Sequence, residues 1–158
     1  MLDKWDERYM QIAKVVGSWS SCLKPDRQIG AVITKGRRII CTGYNGAPKG
    51  VYSCRDIGRC EKHVEPGLKQ DGIKLVTNIP CRAVHAEQNA ICQAASLGIS
   101  IEGATLYCTH KPCRTCFQLI INSGISRVVY EEEYPDVLTD KLISESRVIV
   151  ERYNQPNS

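Results

Sequence analysis

The chain has no apolar run near the roughly 18 residues a membrane-spanning helix needs, no internal repeat and no low-complexity tract. Nor does it carry a strong charge of either sign. Its 21 Lys and Arg stand against 17 Asp and Glu, a net +4, which is too small an excess to point to nucleic acid but suits an anionic small molecule. The opening MLDKWDERYM holds five charged residues in ten and has no apolar stretch of the kind a signal peptide requires. These absences predict a soluble cytoplasmic protein with no membrane partner. What remains is 158 residues, 42% hydrophobic and 24% charged, enough for one domain over 1–158 with a real core.

Nine cysteines are the unusual feature. An odd number cannot all pair, and a reducing compartment keeps thiols free, so this density points to metal or catalysis before disulfides. Cys41, Cys92 and Cys108 fall inside apolar segments, where core packing is the expected role. Cys22, Cys54, Cys60 and Cys81 fall in loops or at element ends.

Periodicity organises the rest. Trp5, Tyr9, Ile12, Val16 and Trp19 recur at steps of four and three and predict one apolar face of a helix, with Asp3 as N-cap and Asp6 three residues on. The β-branched runs Gln28–Thr34 and Arg38–Tyr44, joined by Lys35-Gly36-Arg37, predict a hairpin that ends in the turn pair Asn45-Gly46. From Ala47 to Pro80 the pattern fails, with four glycines and three prolines; an insertion this long is uncommon in a compact domain. Helices are then expected at 85–97, 112–123 and 135–145, and strands at 104–109, 127–130 and 147–150, with a frayed tail at 154–158. The order α-β-β-α-β-α-β-α-β implies an α/β fold, a mixed five-stranded sheet with helices on both faces.

Two segments carry chemistry: His85-Ala86-Glu87 and Pro112-Cys113-Arg114-Thr115-Cys116, each at an expected helix start. Cysteines three apart on a helix share a face, and a helix N-terminus favours their thiolate form. One histidine with two thiolates makes three ligands for a zinc ion. The fourth tetrahedral position is left for water, which is the mark of a catalytic rather than a structural site. Glu87 is too close in sequence to His85 to bind the same ion easily, but it can take a proton from that water and hand it to a substrate nitrogen. The bland alternative is a closed zinc site or core thiols beside a surface glutamate.

In this order and with this proline, the residues match the established H-x-E…P-C-x-x-C signature of zinc nucleobase deaminases. HAEQNAI and PCRTC resemble the two zinc motifs of the cytidine and deoxycytidylate deaminase superfamily. The stretches RQIGAVI (27–33) and GYNGAP (43–48) and the cysteine-bearing insertion resemble its deoxycytidylate (dCMP) deaminase branch, late-competence type included. The resemblance runs from about Trp5 to Tyr153. It implies the three-layer α-β-α cytidine-deaminase-like fold, with His85, Cys113 and Cys116 holding zinc and Glu87 as proton shuttle. It further implies hydrolysis of dCMP at C4 to dUMP and ammonia, feeding thymidylate synthesis.

Substrate contacts are expected from Asn45, matching the family asparagine that holds the sugar hydroxyl, and from Ala86 in the first motif. Arg27 is the preferred phosphate partner among Lys24, Arg27 and Lys49, and Tyr134, with Tyr130, is a candidate for the pocket wall. The plainer readings are a turn residue for Asn45, strand core for Tyr130 and a loop anchor for Tyr134. The resemblance also implies a homo-oligomer, often a hexamer, activated by dCTP with Mg2+ and inhibited by dTTP. It supports a second, structural zinc on Cys22, Cys54, Cys60 and Cys81, with His63 able to replace one cysteine; scattered free thiols are the alternative. Other readings of the same motifs are deamination of another cytosine-type or tRNA substrate, or a competence-related nucleotide-binding accessory role.

Overall fold

The computed structural model describes residues 2–60, 69–70, 73–74 and 81–154. Helix α1 (Lys4–Gly17) begins in a capping box. The Asp3 carboxylate accepts from the amides of Trp5 (2.7 Å) and Asp6 (3.1 Å), and Asp6 accepts from the Asp3 amide (2.8 Å). A single 3-10 turn, Pro25–Arg27, leads into strands β1 (Gly30–Lys35) and β2 (Arg38–Tyr44). Their connection is the two-residue turn Gly36-Arg37, both at positive φ (55° and 62°), the turn whose twist matches a hairpin.

The insertion is less featureless than its composition implies. It contains a one-turn helix α2 (Cys54–Ile57), started by a Ser53–Asp56 capping box, and a two-residue antiparallel pair, β3 (Lys69–Gln70) and β4 (Ile73–Lys74). Then follow α3 (Ala86–Leu97), β5 (Thr105–His110), α4 (Arg114–Asn122), β6 (Arg127–Glu132), α5 (Val137–Glu145) and β7 (Ile149–Arg152).

The sheet is five-stranded and mixed, in the order β2-β1-β5-β6-β7. β1 is antiparallel to both β2 and β5, while β5, β6 and β7 run parallel. Side chains alternate between faces along each central strand. Ala31, Ile33, Leu106, Cys108 and Val128 join Phe117 and Ile120 of α4 and Ala90 and Ala94 of α3 in one core. Val32, Tyr107 and Val129 face the other way, against Tyr9, Met10, Ala13 and Val16 of α1. Helices therefore cover both faces, as expected.

Three local expectations are corrected. The buried stripe of α1 is Tyr9, Met10, Ala13 and Val16, whereas Ile12 is partly exposed and Trp19, beyond the helix end, is 57% exposed against Tyr44. Close approach decides this: a Cβ on Gly30 would lie 1.9 Å from the Ala13 carbonyl oxygen, so α1 meets β1 through its small residues. Cys92 sits on the exposed side of α3, while Cys41 and Cys108 are core residues. Helix α4 starts at Arg114 rather than Pro112, with Cys113 as its N-cap in extended conformation.

Candidate metal centre and active-site cleft

His85 and Cys113 are the N-caps of α3 and α4, and both helix starts open at the edge of the sheet where β5 and β6 end. In open α/β sheets the carboxyl ends of parallel strands are where ligand clefts form. The His85 backbone is fixed on both sides. Its amide donates to Gln88 Oε1 (2.9 Å), and the preceding Val84 exchanges two backbone hydrogen bonds with Gly46 (2.8 and 3.2 Å). The Asn45-Gly46 turn is thereby tied to the first motif.

His85 Nδ1 lies 3.5 Å from Cys113 Sγ and 3.3 Å from Cys116 Sγ. A zinc ion with Zn–S of about 2.3 Å and Zn–N of about 2.0 Å at a tetrahedral angle sets nitrogen and sulfur about 3.5 Å apart, so the donor set fits that ion in chemistry and in spacing. Among the described residues these three form the one group of three or more such donors within 4.8 Å of one another. Hydrogen bonding from the Cys116 thiol, then from His85, draws Cys113 down to about 4. The same pairing, with burial, pushes Cys116 up. The pairing favours one thiolate, and a dication would take the second proton's place.

Glu87 is 4% exposed, one residue past the Ala86 position that anchors α3 to the sheet. Burial pushes its carboxyl above the ordinary value, the direction a proton shuttle working near neutrality needs. The fully buried Cys108 thiol is pushed well up by burial and then by the nearby Glu87 carboxyl. Cys108 is a core residue, as its sequence context indicates.

A cleft of about 220 Å³ opens over these groups. Of the expected substrate residues, it brings together Asn45, Arg27 and Tyr134, with Lys24 beside them. Asn45 is buried and turns its amide inward: Nδ2 donates to the Arg27 carbonyl (2.7 Å) and Oδ1 accepts from the Ile29 amide (2.8 Å). One N–H and one lone pair remain for a ligand, so the turn role and a binding role coexist. Ala86 is fully buried and is not part of the cleft wall, Lys49 is exposed outside it, and Tyr130 is a buried strand residue.

Cys22, Cys60 and Cys81 line this same cleft, while Cys54 is buried at the start of α2. These four do not form a second group of three donors within 4.8 Å among the described residues. His63 lies outside the described residues. Sequence reasoning missed two cleft residues, His110 and Lys111. Their signal was position, at the end of β5 and directly before Pro112-Cys113. No helix among the described residues is long and apolar enough to cross a membrane.

Residues 3–132 match the model of the cytidine and deoxycytidylate deaminase zinc-binding region. The deoxycytidylate deaminase of Mycobacterium phage D29 is 43% identical over 131 residues, covering 82% of this chain and 95% of that protein. That of Schizosaccharomyces pombe is 34% identical over 157 residues, 98% of this chain but 45% of that protein, so the chain spans about half the length of this relative. Among solved structures, the dCMP deaminase of cyanophage S-TIM5 in complex with dCMP and dUMP superposes with a TM-score of 0.71 at 29% identity, over 97% of this chain and 99% of that one. The motif order, the donor geometry and the span of these matches lead to one conclusion: the chain belongs to the cytidine and deoxycytidylate deaminase family.

Proposed function

We propose that this protein hydrolyses dCMP to dUMP and ammonia, with His85, Cys113 and Cys116 holding a catalytic zinc. The observation that carries this reading is the meeting, in one cleft, of that donor set, the buried Glu87 carboxyl and the Arg27 and Lys24 side chains. The first two supply the chemistry of deamination; the last two supply charge for a 5′-phosphate. When bound, zinc polarises a water and lowers its pKa to about 7.

Glu87 accepts the proton that water loses as its oxygen attacks C4 of the cytosine ring, and delivers it to N3. The proton left on the attacking oxygen passes through Glu87 to the exocyclic amine, the C4–N bond breaks leaving C4=O, and ammonia departs. Burial of Glu87 keeps the transfer out of bulk water. Asn45, held by the backbone of residues 27 and 29, offers its remaining donor and acceptor to the sugar hydroxyl.

The same reading takes dUMP as a thymidylate precursor. It includes a homo-oligomer, activation by dCTP with Mg2+ and inhibition by dTTP; family likeness supports these features. It also keeps a structural zinc on Cys22, Cys54, Cys60 and Cys81, the site that would order the insertion. The test is steady-state deamination by zinc-loaded protein with dCMP, CMP, deoxycytidine and cytosine in parallel, with and without dCTP and Mg2+. A strong preference for dCMP is expected. Preference for deoxycytidine or cytosine would leave the zinc chemistry standing and remove the phosphate pocket.

A further inference from the structure

The β6–α5 connection, residues 133–136, is clamped at both ends by the turn that carries the second zinc motif. At one end Lys111 Nζ donates to Glu133 Oε1 (2.8 Å) and to Asp140 Oδ1 of α5 (2.6 Å), and the Tyr130 hydroxyl donates to Glu133 Oε2 (2.8 Å). At the other, the Arg114 amide donates to Asp136 Oδ2 (3.2 Å), while Asp136 Oδ1 caps α5 through the amides of Leu138 and Thr139. Between the clamps stands Tyr134, 39% exposed and in the cleft wall.

Lys111 is itself 9% exposed, rare burial for a lysine. Withdrawing an ammonium from water is costly unless its partners are well placed, and here two carboxylates face one cation. Paired with two carboxylates, Lys111 has no net positive charge to offer an anion. Its amide also donates to the Glu132 carbonyl (2.9 Å), so residue 111 is joined to the β6 end by backbone and side chain alike.

We infer that Lys111 is a positioning residue: through Glu133 and Asp140 it holds the 133–136 strap so that Tyr134 forms a fixed substrate-facing wall of the cleft. The inference rests on the deaminase reading for its substrate, and on the hydrogen bonds above for its geometry. Misplacing a wall that contacts substrate weakens binding while the proton shuttle and the metal donors stay where they are.

Lys111→Met breaks the clamp from its buried end, and Glu133→Gln weakens it from the exposed end with little risk to folding. Each is expected to raise KM for dCMP roughly tenfold with kcat within about twofold of wild type, at unchanged zinc content. Tyr134→Ala should do the same, and Lys111→Met with Tyr134→Ala should be no worse than Tyr134→Ala alone, since residues acting through one contact are not additive. Additive effects, a fall in kcat alone or loss of zinc would overturn the inference. Hydrogen exchange of amides 133–140 in the zinc-loaded variants reads the strap without any substrate. Faster exchange there, with α4 unchanged, is expected, and unchanged exchange would overturn the clamp even if dCMP proved to be the substrate. If wild type failed to turn over dCMP while exchange responded, the functional reading would fall and the clamp would stand.

Discussion

Replacing Gly43 by alanine is expected to damage the active site from behind. Gly43 lies in β2, and the α3 backbone crosses directly over it. A Cβ there would sit 2.2 Å from the Ala86 carbonyl oxygen, 2.5 Å from the Ala90 amide nitrogen and 3.1 Å from the Ala90 Cα. All three are backbone atoms, so no side chain can swing aside. Helix α3 is also sewn to β2 on either side of the contact. Asn89 Nδ2 donates to the Tyr44 carbonyl (2.7 Å) and Gln93 Oε1 accepts from the Thr42 amide (2.8 Å).

To restore ordinary contact the start of α3 must retreat by about 1 Å, a displacement that can cost about a hundredfold in rate when it moves reacting groups. Ala86 is flanked by His85 and Glu87, so both groups move together. Overpacking of this kind costs about 1–3 kcal/mol, or roughly 3–10 °C in Tm for a chain of this size. The assay is kcat/KM for dCMP well below the variant's Tm, beside its melting curve and zinc content. A folded Gly43→Ala protein with wild-type activity would refute the reasoning. A lowered Tm with intact activity would mean that the edge strand, not α3, absorbs the strain.

Three further predictions rest on other parts of the structure. Cys113→Ala should purify without its catalytic zinc, because His85 and Cys116 leave only two ligands; full metal content by elemental analysis would contradict the ligand set. At the end of β6 away from the cleft, Asp6 is 2% exposed and accepts from Arg127 Nη1 (2.6 Å), Arg127 Nη2 (3.0 Å) and the Tyr107 hydroxyl (2.7 Å). Burial alone would raise its carboxyl, but these bonds hold it below the ordinary 3.8. A depressed folded value stabilises the protein above the unfolded one, and that contribution is lost as pH falls from about 4 through the folded value. Asp6→Asn should flatten the acid limb of a stability–pH curve, and Arg127→Met should cost about 3–5 kcal/mol near neutrality by leaving a buried carboxylate unpaired. Equal acid slopes in wild type and Asp6→Asn, by urea unfolding, would rule this out.

Much of the site was legible because its chemistry is local in sequence. His85 and Glu87 are two residues apart, Cys113 and Cys116 three, and each pair sits at a helix start. Strand β2 was found to the residue, since its β-branched run is bounded by the Lys35-Gly36-Arg37 connection and the Asn45-Gly46 turn. Lys111 was not legible: its partners Glu133 and Asp140 are 22 and 29 residues away, and an isolated lysine reads as solvated surface. The offset face of α1 was hidden for a related reason. The expected stripe rewarded large residues such as Trp19, whereas the contact is made by Ala13 against Gly30, where small size is the requirement.

The most direct test of the central claim is Glu87→Gln, measured for zinc content and dCMP turnover on the same preparation. Glutamine keeps the size of the side chain and removes the proton carrier. The arrangement described here predicts a folded protein with its full catalytic zinc and a turnover lower by about 10²–10⁴-fold, the usual weight of a positioned acid–base group. Activity near wild type would remove Glu87 from the reaction and with it the mechanism proposed for this cleft.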